Sequence, residues 1–419
     1  MSQKFHGVKG MNDLFAPAMQ GWHHLEHTAR EQLRRFGYSE VRTPMLEETA
    51  LFVRSVGEET DIVGKEMYTF EDKGGRSLSL RPEGTAPSAR AYIEHSLSNR
   101  EPVTRWYYMG PMFRYERMKT GRYRQFYQLG VEAYGVSEPA QEVEQMDLVV
   151  GLLEGLGLKN VRLVINSLGD AACRPSFVEK LVEFLKGHRE ALCQDCQARL
   201  ERNPLRALDC KNEACQAVVK AAPRVLDFLC EPCRAHFTEV RRKLDLLQLR
   251  YDVNPGIVRG LDYYTRTVFE FIAADPVLGT ASAVGAGGRY DGLVRSLGGP
   301  DVPAVGLALG LDRLCLLLGE RPQQQGTIPD LFIASADGAA SDAAFKLVST
   351  LRRQGFWVEF DSRGGSLKSQ MKRADKTSAR YALVLGEAEL AKGAGVLKPM
   401  AGGEPLPAPL ATLAELLRR

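Results

Sequence analysis

Residues 105–134 read RWYYMGPMFRYERMKTGRYRQFYQLGVEAY, and this stretch decides the fold. Two long strand-like runs flank the polar segment MKTG, which is a pattern typical of a β-hairpin. We therefore predict two antiparallel strands and, around them, a mainly antiparallel sheet. Six basic residues and one acidic residue lie between Arg105 and Arg124. An arginine on a rigid strand presents a planar fork of donors that suits phosphate groups.

The two faces of the second strand of this hairpin differ in character, because residues two apart share a face. One face is apolar and is predicted to face the core: Gln125, Tyr127, Leu129, Val131 and Ala133. The other face is polar around one glycine and one phenylalanine: Arg124, Phe126, Gln128, Gly130 and Glu132. Such a floor can hold a small zwitterion beside a nucleotide. The competing interpretation is a strand face exposed to solvent.

The composition is that of an ordinary globular protein. The 419 residues include 55 Lys and Arg against 52 Asp and Glu, with 44% hydrophobic residues. These values exclude a histone-like polymer or a wholly disordered chain, and the length predicts two or three domains. The sequence has no apolar stretch near the roughly 20 residues of a membrane helix. We expect a cytoplasmic protein, and a net charge of +3 does not exclude nucleic acid as a partner.

The chain changes character several times, which predicts its domain organisation. We expect an α+β protein whose antiparallel-sheet domain is formed by residues 1–167 and 254–327. Residues 168–253 have largely helical periodicity and contain most of the cysteines, so we interpret them as an inserted helical domain. A polar, Pro-containing linker then precedes a C-terminal α/β domain, residues 328–419, in which strands and helices alternate to the end.

A second cluster of polar residues lies in the segment RPEGTAPSAR, residues 81–90. Glu83 is followed closely by Thr85, and a carboxylate beside a hydroxyl suits an ammonium group. The alternative is that either residue caps the helix that begins here. The chain lacks the GxxxxGK[ST] phosphate loop, and GAGGRYDG does not satisfy GxGxxG.

The cysteines predict a structural zinc site. Cys193 with Cys196 and Cys230 with Cys233 form two CxxC motifs. In a protein of the cytosol such paired motifs indicate zinc rather than disulfides. We expect a tetrathiolate site formed by these two pairs, although the intervening Cys210 and Cys215 can replace one of them. The competing interpretation is a set of reduced thiols without metal.

A basic helix is predicted in the C-terminal domain. Lys368, Lys372 and Lys376 are spaced by four residues, so they line one helical face. This stripe can neutralise RNA phosphates, and the alternative is a solvated helix face.

Five stretches, in order along the chain, resemble the histidyl-tRNA synthetases, a family of class II aminoacyl-tRNA synthetases. They are LSLRPEGTAPSAR, PMFRYERMKTGRYRQFYQLGVEAYG, VRGLDYYTRTVFEF, VGAGGRYDGLV and VGLALGLDRL. RTPMLEE resembles class II motif 1, whose proline, here Pro44, lies at a dimer interface. The arginine hairpin resembles motif 2, and GLALGLDRL resembles motif 3. Tyr127 stands where the family commonly has histidine, and its predicted core-facing direction leads us to expect no functional cost.

The resemblance implies a histidine–tRNA ligase. Such an enzyme joins histidine to AMP at the expense of ATP with Mg²⁺, and then transfers the histidyl group to the terminal ribose of a tRNA. The implied catalytic residues are Arg114 at the α-phosphate, Arg313 at the distal phosphates and near the adenine, and Arg259 at the α-phosphate. Arg122 joins Arg114 and Arg313 as an ATP-binding residue.

The resemblance also implies how histidine is recognised. Glu132 and Tyr264 address the imidazole, and the α-amino end is held by Glu83, Thr85 and Gln128. Tyr263 and Gly288 shape the wall of the pocket, and Arg259 is also counted among the histidine-binding residues.

The implied partners are L-histidine, ATP, tRNA(His) and a second copy of the chain, with the C-terminal domain binding the anticodon region. The alternative is a synthetase-like regulatory subunit of ATP phosphoribosyltransferase. That reading predicts loss of the terminal domain and of the ATP-site arginines, and this chain retains both.

Overall fold

The computed structural model describes residues 4–58, 60–258, 261–279, 283–319, 328–336 and 338–418. The chain divides into two compact units, Met1–Glu320 and Arg321–Arg419. The finer four-part division expected from the sequence stays a prediction.

The first unit is built on the antiparallel sheet that the hairpin predicts. Its described strands are β1 Ser39–Glu40, β2 Leu46–Glu48, β3 Thr69–Glu71, β4 Ser77–Leu80, β5 Thr104–Phe113, β6 Gln125–Tyr134, β7 Val161–Ser167, β8 Tyr251–Val253, β9 Thr265–Ala273, β10 Ala283–Arg289 and β11 Ala304–Gly310. The large sheet has the order β1-β5-β6-β11-β10-β9-β7-β8. Along the run β5-β6-β11-β10-β9-β7, all neighbouring strands are antiparallel. The edge strands β1 and β8 pair in parallel with β5 and β7, respectively. A smaller sheet has the order β2-β4-β3.

Helices cover the apolar face of the large sheet. The described helices of the first unit are α1 Ala18–Arg35, α2 Thr49–Val56, α3 Thr85–Glu94, α4 Ala140–Gly155, α5 Arg174–Gly187, α6 Gln194–Arg202, α7 Glu213–Val219, α8 Glu231–Leu246, α9 Leu293–Ser296 and α10 Leu311–Leu318. Side chains from α1, α4, α8 and α10 form the main core with β6, β7, β9 and β11. Burial of this apolar surface is the main stabilising contribution, at about 25 cal/mol per Å².

The predicted alternation along β6 is confirmed. Leu129 and Val131 are buried in the main core, and the Tyr127 ring packs on Trp22 with ring centroids 5.1 Å apart. Phe126 and Gln128 lie on the opposite face, where they line a cavity. The polar face is therefore a cavity floor rather than a solvated surface.

The chain between β7 and β8 is helical, as its periodicity predicts. It contains α5 to α8 joined by short 3₁₀ turns. Part of it has a small core of its own, in which Phe177, Leu181 and Leu200 pack around the buried Cys196 and Cys215.

The second unit is an α/β unit. Its described elements are β12 Leu331–Ser335, α11 Ala339–Arg353, β13 Val358–Phe360, α12 Leu367–Thr377, β14 Tyr381–Leu385, α13 Glu387–Lys392, β15 Ala394–Pro399, β16 Leu406–Pro409 and α14 Leu413–Leu417. The sheet order is β13-β12-β14-β15-β16, with parallel pairs on β12 and antiparallel pairs from β14 to β16. The expectation of strict alternation to the end is wrong, because β15 and β16 form a hairpin. Gly402 and Gly403 have φ of 96° and 128°, which favours glycine in this turn.

None of the helices in the described part of the chain has both the length and the apolarity that a bilayer span requires.

Candidate active site

A cavity of about 590 Å³ opens on the polar face of the large sheet. Nearly all of the predicted site residues line it: Glu83, Thr85, Arg114, Arg122, Gln128, Tyr263, Tyr264 and Arg313. Glu132 does not itself line the cavity, and it lies directly behind Thr85 and Tyr108, which do. Arg259 lies outside the described residues. Side chains from four distant parts of the sequence therefore converge on one space.

Glu132 is the centre of a buried hydrogen-bond network. It is fully buried, and its Oε1 accepts hydrogen bonds from the hydroxyls of Thr85, at 2.7 Å, and Tyr108, at 3.1 Å. The hydroxyl of Tyr290 donates to Oε2. Burial raises the pKa of Glu132 to about 8, although these hydrogen bonds oppose the shift. The hydrogen bonds thus fix the carboxyl group in position, while burial favours its protonated form.

Tyr108 and Tyr290 were not among the predicted site residues. The register of the hairpin explains the position of Tyr108, which is paired with Gly130. A Cβ atom on Gly130 would lie 2.0 Å from the Tyr108 ring, so only glycine leaves room for this tyrosine. Tyr290 directly follows β10 and reaches Glu132 from two strands away, across β11. Neither contact is local, and no sequence spacing indicates them.

Glu83 caps a helix, as the alternative interpretation expected, and it also lies in the cavity lining. Its Oε2 accepts the Thr85 N–H at 2.6 Å and its Oε1 accepts the Ala86 N–H at 2.9 Å, so it caps α3. It also lines the cavity, and burial raises its pKa. The helix cap therefore holds the carboxylate in the cavity wall.

Gln128 presents an acceptor to the cavity. Its Oε1 atom is buried and has no hydrogen-bond partner in the described part of the chain. A buried acceptor without a partner is costly. A ligand donor in the cavity would remove this cost.

The tyrosine pair forms another part of the wall. The rings of Tyr263 and Tyr264 lie 4.7 Å apart, and Tyr263 also contacts Tyr290. A Cβ on Gly288 would lie 2.9 Å from Cδ1 of Tyr264, so the strand approaches this ring closely. Arg174, at the start of α5, donates from Nη2 to the Tyr264 carbonyl at 2.6 Å. Helix α5 thereby helps to position the tyrosine pair.

The arginines form the other end of the cavity. Arg114 donates from Nε to the Pro82 carbonyl at 2.8 Å, and Arg313 donates from Nε to the Gly121 carbonyl at 3.0 Å. Both are held by neutral acceptors, so their positive charge is only partly compensated. Burial lowers the pKa of Arg313, and the nearby Arg122 lowers it further. An anion between these groups would relieve this repulsion.

Glu116 is the carboxylate that partly offsets this charge. Its Oε2 pairs with Nη1 of Arg122 at 3.1 Å, and its Oε1 lies 3.8 Å from Nη1 of Arg114. The Arg114 guanidinium also lies 5.3 Å from the centroid of the Phe126 ring. The predicted ATP-binding residues thus meet on the cavity floor.

The helical segment between β7 and β8 also contributes to the cavity, which the sequence did not indicate. Arg206, Asp209 and Lys211 line it together with residues of the sheet.

The predicted zinc ligand set is wrong in its pairing. The two CxxC motifs lie in different clusters: Cys193 and Cys196 with Cys210 and Cys215, and Cys230 and Cys233 with Asp170 and Cys173. Each CxxC motif begins a different helix, α6 or α8, and these helices belong to different packing clusters. The alternative in which the middle pair replaces one CxxC agrees with the first cluster.

Comparisons with known proteins agree with this geometry. The profile of the histidyl-tRNA synthetase family matches residues 10–314, and that of the anticodon binding domain matches residues 330–419. The histidine–tRNA ligase of Trichlorobacter lovleyi is 52% identical over 96% of this chain and 95% of its own. That of Geobacter sulfurreducens is 50% identical over 96% of this chain and 97% of its own.

A solved structure supports the same assignment. The apo histidyl-tRNA synthetase of S. aureus is 37% identical, with a TM-score of 0.84 over 99% of this chain and 100% of that one. The expected α+β architecture is therefore confirmed. From its sequence and its fold, this chain belongs to the histidyl-tRNA synthetase family of class II aminoacyl-tRNA synthetases.

Proposed function

We propose that this chain acts as a histidine–tRNA ligase and that the described cavity binds histidine and ATP side by side. In the first step one carboxylate oxygen of histidine attacks the α-phosphorus of ATP, and pyrophosphate leaves. In the second step a hydroxyl of the 3′-terminal ribose of tRNA(His) attacks the carbonyl carbon, and AMP leaves. The observation that carries the proposal is one cavity with buried carboxylates at one end and arginines at the other.

The acidic end is assigned to histidine. Glu132 and Tyr264 address the imidazole, whose two ring nitrogens require hydrogen-bond partners. The α-ammonium group is assigned to Glu83, Thr85 and Gln128, and the unpartnered Oε1 of Gln128 supports this role. A buried polar pocket rejects rings without matching donors or acceptors, because its own groups would be left unpaired.

The arginine end is assigned to ATP. Arg114 would contact the α-phosphate, and Arg313 and Arg122 the distal phosphates. The chemistry needs no protein nucleophile, because the substrate carboxylate supplies it. The protein aligns the two substrates and stabilises the charge that develops on the α-phosphate. Arg259 is proposed to stabilise the same charge on the α-phosphate, and this assignment rests on the sequence alone.

Magnesium belongs to the same proposal as the ion that accompanies ATP. Carboxylate oxygens are protein donors that Mg²⁺ accepts, usually one or two beside phosphate oxygens and waters. Glu116 and Glu270 line the cavity, fit this requirement and would hold the ion. When bound, Mg²⁺ neutralises charge on the phosphate oxygens.

The second unit is proposed to bind the anticodon region of tRNA(His). The exposed Lys368, Lys372 and Lys376 of α12 support this role, because they form a basic stripe. Their contribution is expected to weaken as salt increases. If tRNA affinity in a Lys368→Ala/Lys372→Ala variant kept the salt dependence of the parent chain, this assignment would be wrong.

A homodimer is also part of the proposal, with the small sheet at the interface. Leu46 and Phe70 are 41% and 46% exposed, and by register they share one face with Leu78 and Leu80. A contiguous apolar sheet face of this kind is typical of an interaction surface. Pro44 lies directly before this segment. Phe70→Asp is expected to shift sedimentation from dimer to monomer, and an unchanged dimer would contradict the assignment.

We further place this activity in the cytoplasm, and we assign a structural zinc ion to cysteines outside the catalytic cavity. The regulatory subunit of ATP phosphoribosyltransferase is the weaker candidate. The arginine end and the second unit are both retained, and the curated relatives described above are named as ligases.

Exchange of pyrophosphate into ATP tests the proposed function directly. With ATP and Mg²⁺, we expect exchange that depends on histidine and on none of the other nineteen amino acids. A regulatory subunit would give no exchange with any of them. Arg259→Ala is expected to lower the exchange rate on the order of 100-fold. Unchanged exchange in this variant would remove Arg259 from the mechanism.

A further inference from the structure

Four cysteines of the insertion lie in one compact group. The Sγ atoms of Cys193, Cys196, Cys210 and Cys215 are all within 4.8 Å of one another. The Sγ atoms of Cys193 and Cys210 are 3.8 Å apart. A tetrahedron with zinc–sulfur bonds of about 2.3 Å has an edge of about 3.8 Å. The spacing is therefore that of a tetrathiolate zinc site.

Backbone N–H groups are directed at these sulfur atoms. The Cys193 N–H donates to Sγ of Cys215 at 3.1 Å, and the Asn212 N–H donates to Sγ of Cys210 at 3.5 Å. Cys193 precedes the first residue of α6, and Cys196 lies in the first turn of this helix. Donors and a helix N-terminus both favour negative charge on sulfur, which four metal-bound thiolates would carry.

The surrounding fold has a small core and short helices, which a bound metal would stabilise. The core that includes Cys196 and Cys215 contains nine buried residues, and α6 and α7 have nine and seven residues. Helices of this length are marginal in isolation, and small cores commonly depend on a metal or disulfides. Metal binding contributes directly to the free energy of folding of such a segment.

The same cysteines frame a segment that reaches the catalytic cavity. Residues 203–211 lie between Cys196 and Cys215, and Arg206, Asp209 and Lys211 of this segment line the cavity. Asn203 donates from Nδ2 to Oδ1 of Asp262 at 3.2 Å, next to the pocket residue Tyr263. Lys211 directly follows Cys210, so the position of one depends on that of the other.

We propose that Zn²⁺ binds Cys193, Cys196, Cys210 and Cys215 and thereby holds residues 203–211 in the wall of the catalytic cavity. The four thiols release their protons as the four zinc–sulfur bonds form, and no redox change occurs. The ion does not touch the substrates. Its effect on catalysis rests on the proposed function, whereas its binding does not.

Metal content tests the site independently of activity. The reduced full-length chain is expected to contain zinc, and the Cys210→Ser/Cys215→Ser variant is expected to contain about one zinc ion per chain less. Cys315→Ser, which removes a thiol outside both clusters, is the matched control and is expected to keep the full zinc content. Zinc-free wild type, or a double variant with the zinc content of wild type, would refute the site.

Cobalt substitution covers the case in which the double variant fails to fold. Replacing zinc by Co²⁺ in the wild-type chain is expected to give strong sulfur-to-cobalt charge-transfer absorption and the visible bands of a tetrahedral ion. Absorption typical of an octahedral oxygen site would contradict the proposal.

Histidine-dependent exchange tests the coupling to the cavity. Chelation of zinc from the wild-type chain is expected to lower exchange on the order of 10- to 100-fold and to expose residues 203–211 to protease, with both effects reversed by added zinc. Arg206→Ala is expected to lower exchange with zinc content unchanged. Full exchange by the zinc-free chain would refute the coupling. Bound zinc without any histidine-dependent exchange in wild type would instead refute the proposed function and leave the site intact.

Discussion

The two ends of the catalytic cavity are held in different ways. At the acidic end, Glu132 is fully buried and hydrogen-bonded by the side chains of Thr85, Tyr108 and Tyr290. At the basic end, Arg114 and Arg313 are only partly buried and rest mainly on backbone carbonyls. The acidic end is thus a closed side-chain network, and the basic end is an open set of charges on a backbone frame.

In the proposed function, this difference separates recognition of histidine from stabilisation of the charge that develops on the phosphates. A closed network in a low-dielectric region penalises any ligand that leaves one member unpaired, so it discriminates between substrates. An open set of arginines tolerates a flexible polyphosphate and stabilises whatever negative charge develops. Substitutions at the two ends should therefore change different kinetic parameters.

The largest effect is expected from Glu132→Ala. It leaves the hydroxyls of Thr85, Tyr108 and Tyr290 without their acceptor, and we expect kcat/KM for histidine to fall on the order of 10⁴-fold. The Michaelis constant for ATP should change little. Glu154→Ala, on the exposed side of α4, is the control. Equal losses for the two substrates would contradict the assignment of this end to histidine.

Arg114→Ala is expected to impair the arginine end of the cavity, which is assigned to ATP. We expect kcat for pyrophosphate exchange to fall on the order of 100- to 1,000-fold, because one preorganised charge is lost from the transition state. Arg117→Ala removes an exposed arginine of the same hairpin turn and should have little effect. A change confined to the Michaelis constant for histidine would show that Arg114 acts at the acidic end.

Tyr290→Phe should remove one hydrogen bond to Glu132 and leave those from Thr85 and Tyr108 in place. The hydroxyl of Tyr290 donates to Glu132, and its loss is expected to raise the histidine Michaelis constant on the order of 10-fold. Because this hydrogen bond lowers the pKa of Glu132, the variant should also shift the pH dependence of histidine binding to higher pH. Tyr92→Phe, outside the network, is the control, and an unshifted pH profile in Tyr290→Phe would contradict the prediction.

The last expected effect concerns stability rather than substrate binding or catalysis, and it is a pH dependence of the free energy of unfolding. Burial raises the pKa of Glu132 to about 8, above its value in the unfolded chain, so the folded chain binds one more proton between these values. Its contribution to stability is full below the unfolded pKa and is lost as pH rises through about 8. Chemical denaturation between pH 5 and pH 9 should show a slope of at most about 1.4 kcal/mol per pH unit. Glu132→Gln should lack this part of the slope, and an identical slope in both chains would contradict the prediction.

Much of the catalytic region could be predicted because its signals are local. The alternation of residues along β6 assigns Gln128 and Glu132 to one face and Tyr127 to the core, whatever the rest of the chain does. The motifs and their order likewise predict the family, and the hairpin pattern predicts the antiparallel sheet. The cap formed by Glu83 depends only on the two residues that follow it.

The remaining features depend on contacts between residues far apart in sequence. Tyr290 lies 158 residues from Glu132 in the sequence. The two residues come together only because β6, β11 and β10 pair side by side in one sheet. The predicted zinc ligand set joined two CxxC motifs that lie in different clusters. The CxxC spacing describes the start of one helix and does not indicate which other cysteines pack beside it.

By itself, the amino-acid sequence determined the two strands of the hairpin, their two faces and the family, because periodicity and motifs act over a few residues. The tertiary structure alone decided which tyrosines surround Glu132, which cysteines share a site and that Arg206 and Lys211 enter the cavity. These three features depend on the register of the strands and the packing of the helices. Both are selected by the burial of apolar surface between residues far apart in sequence.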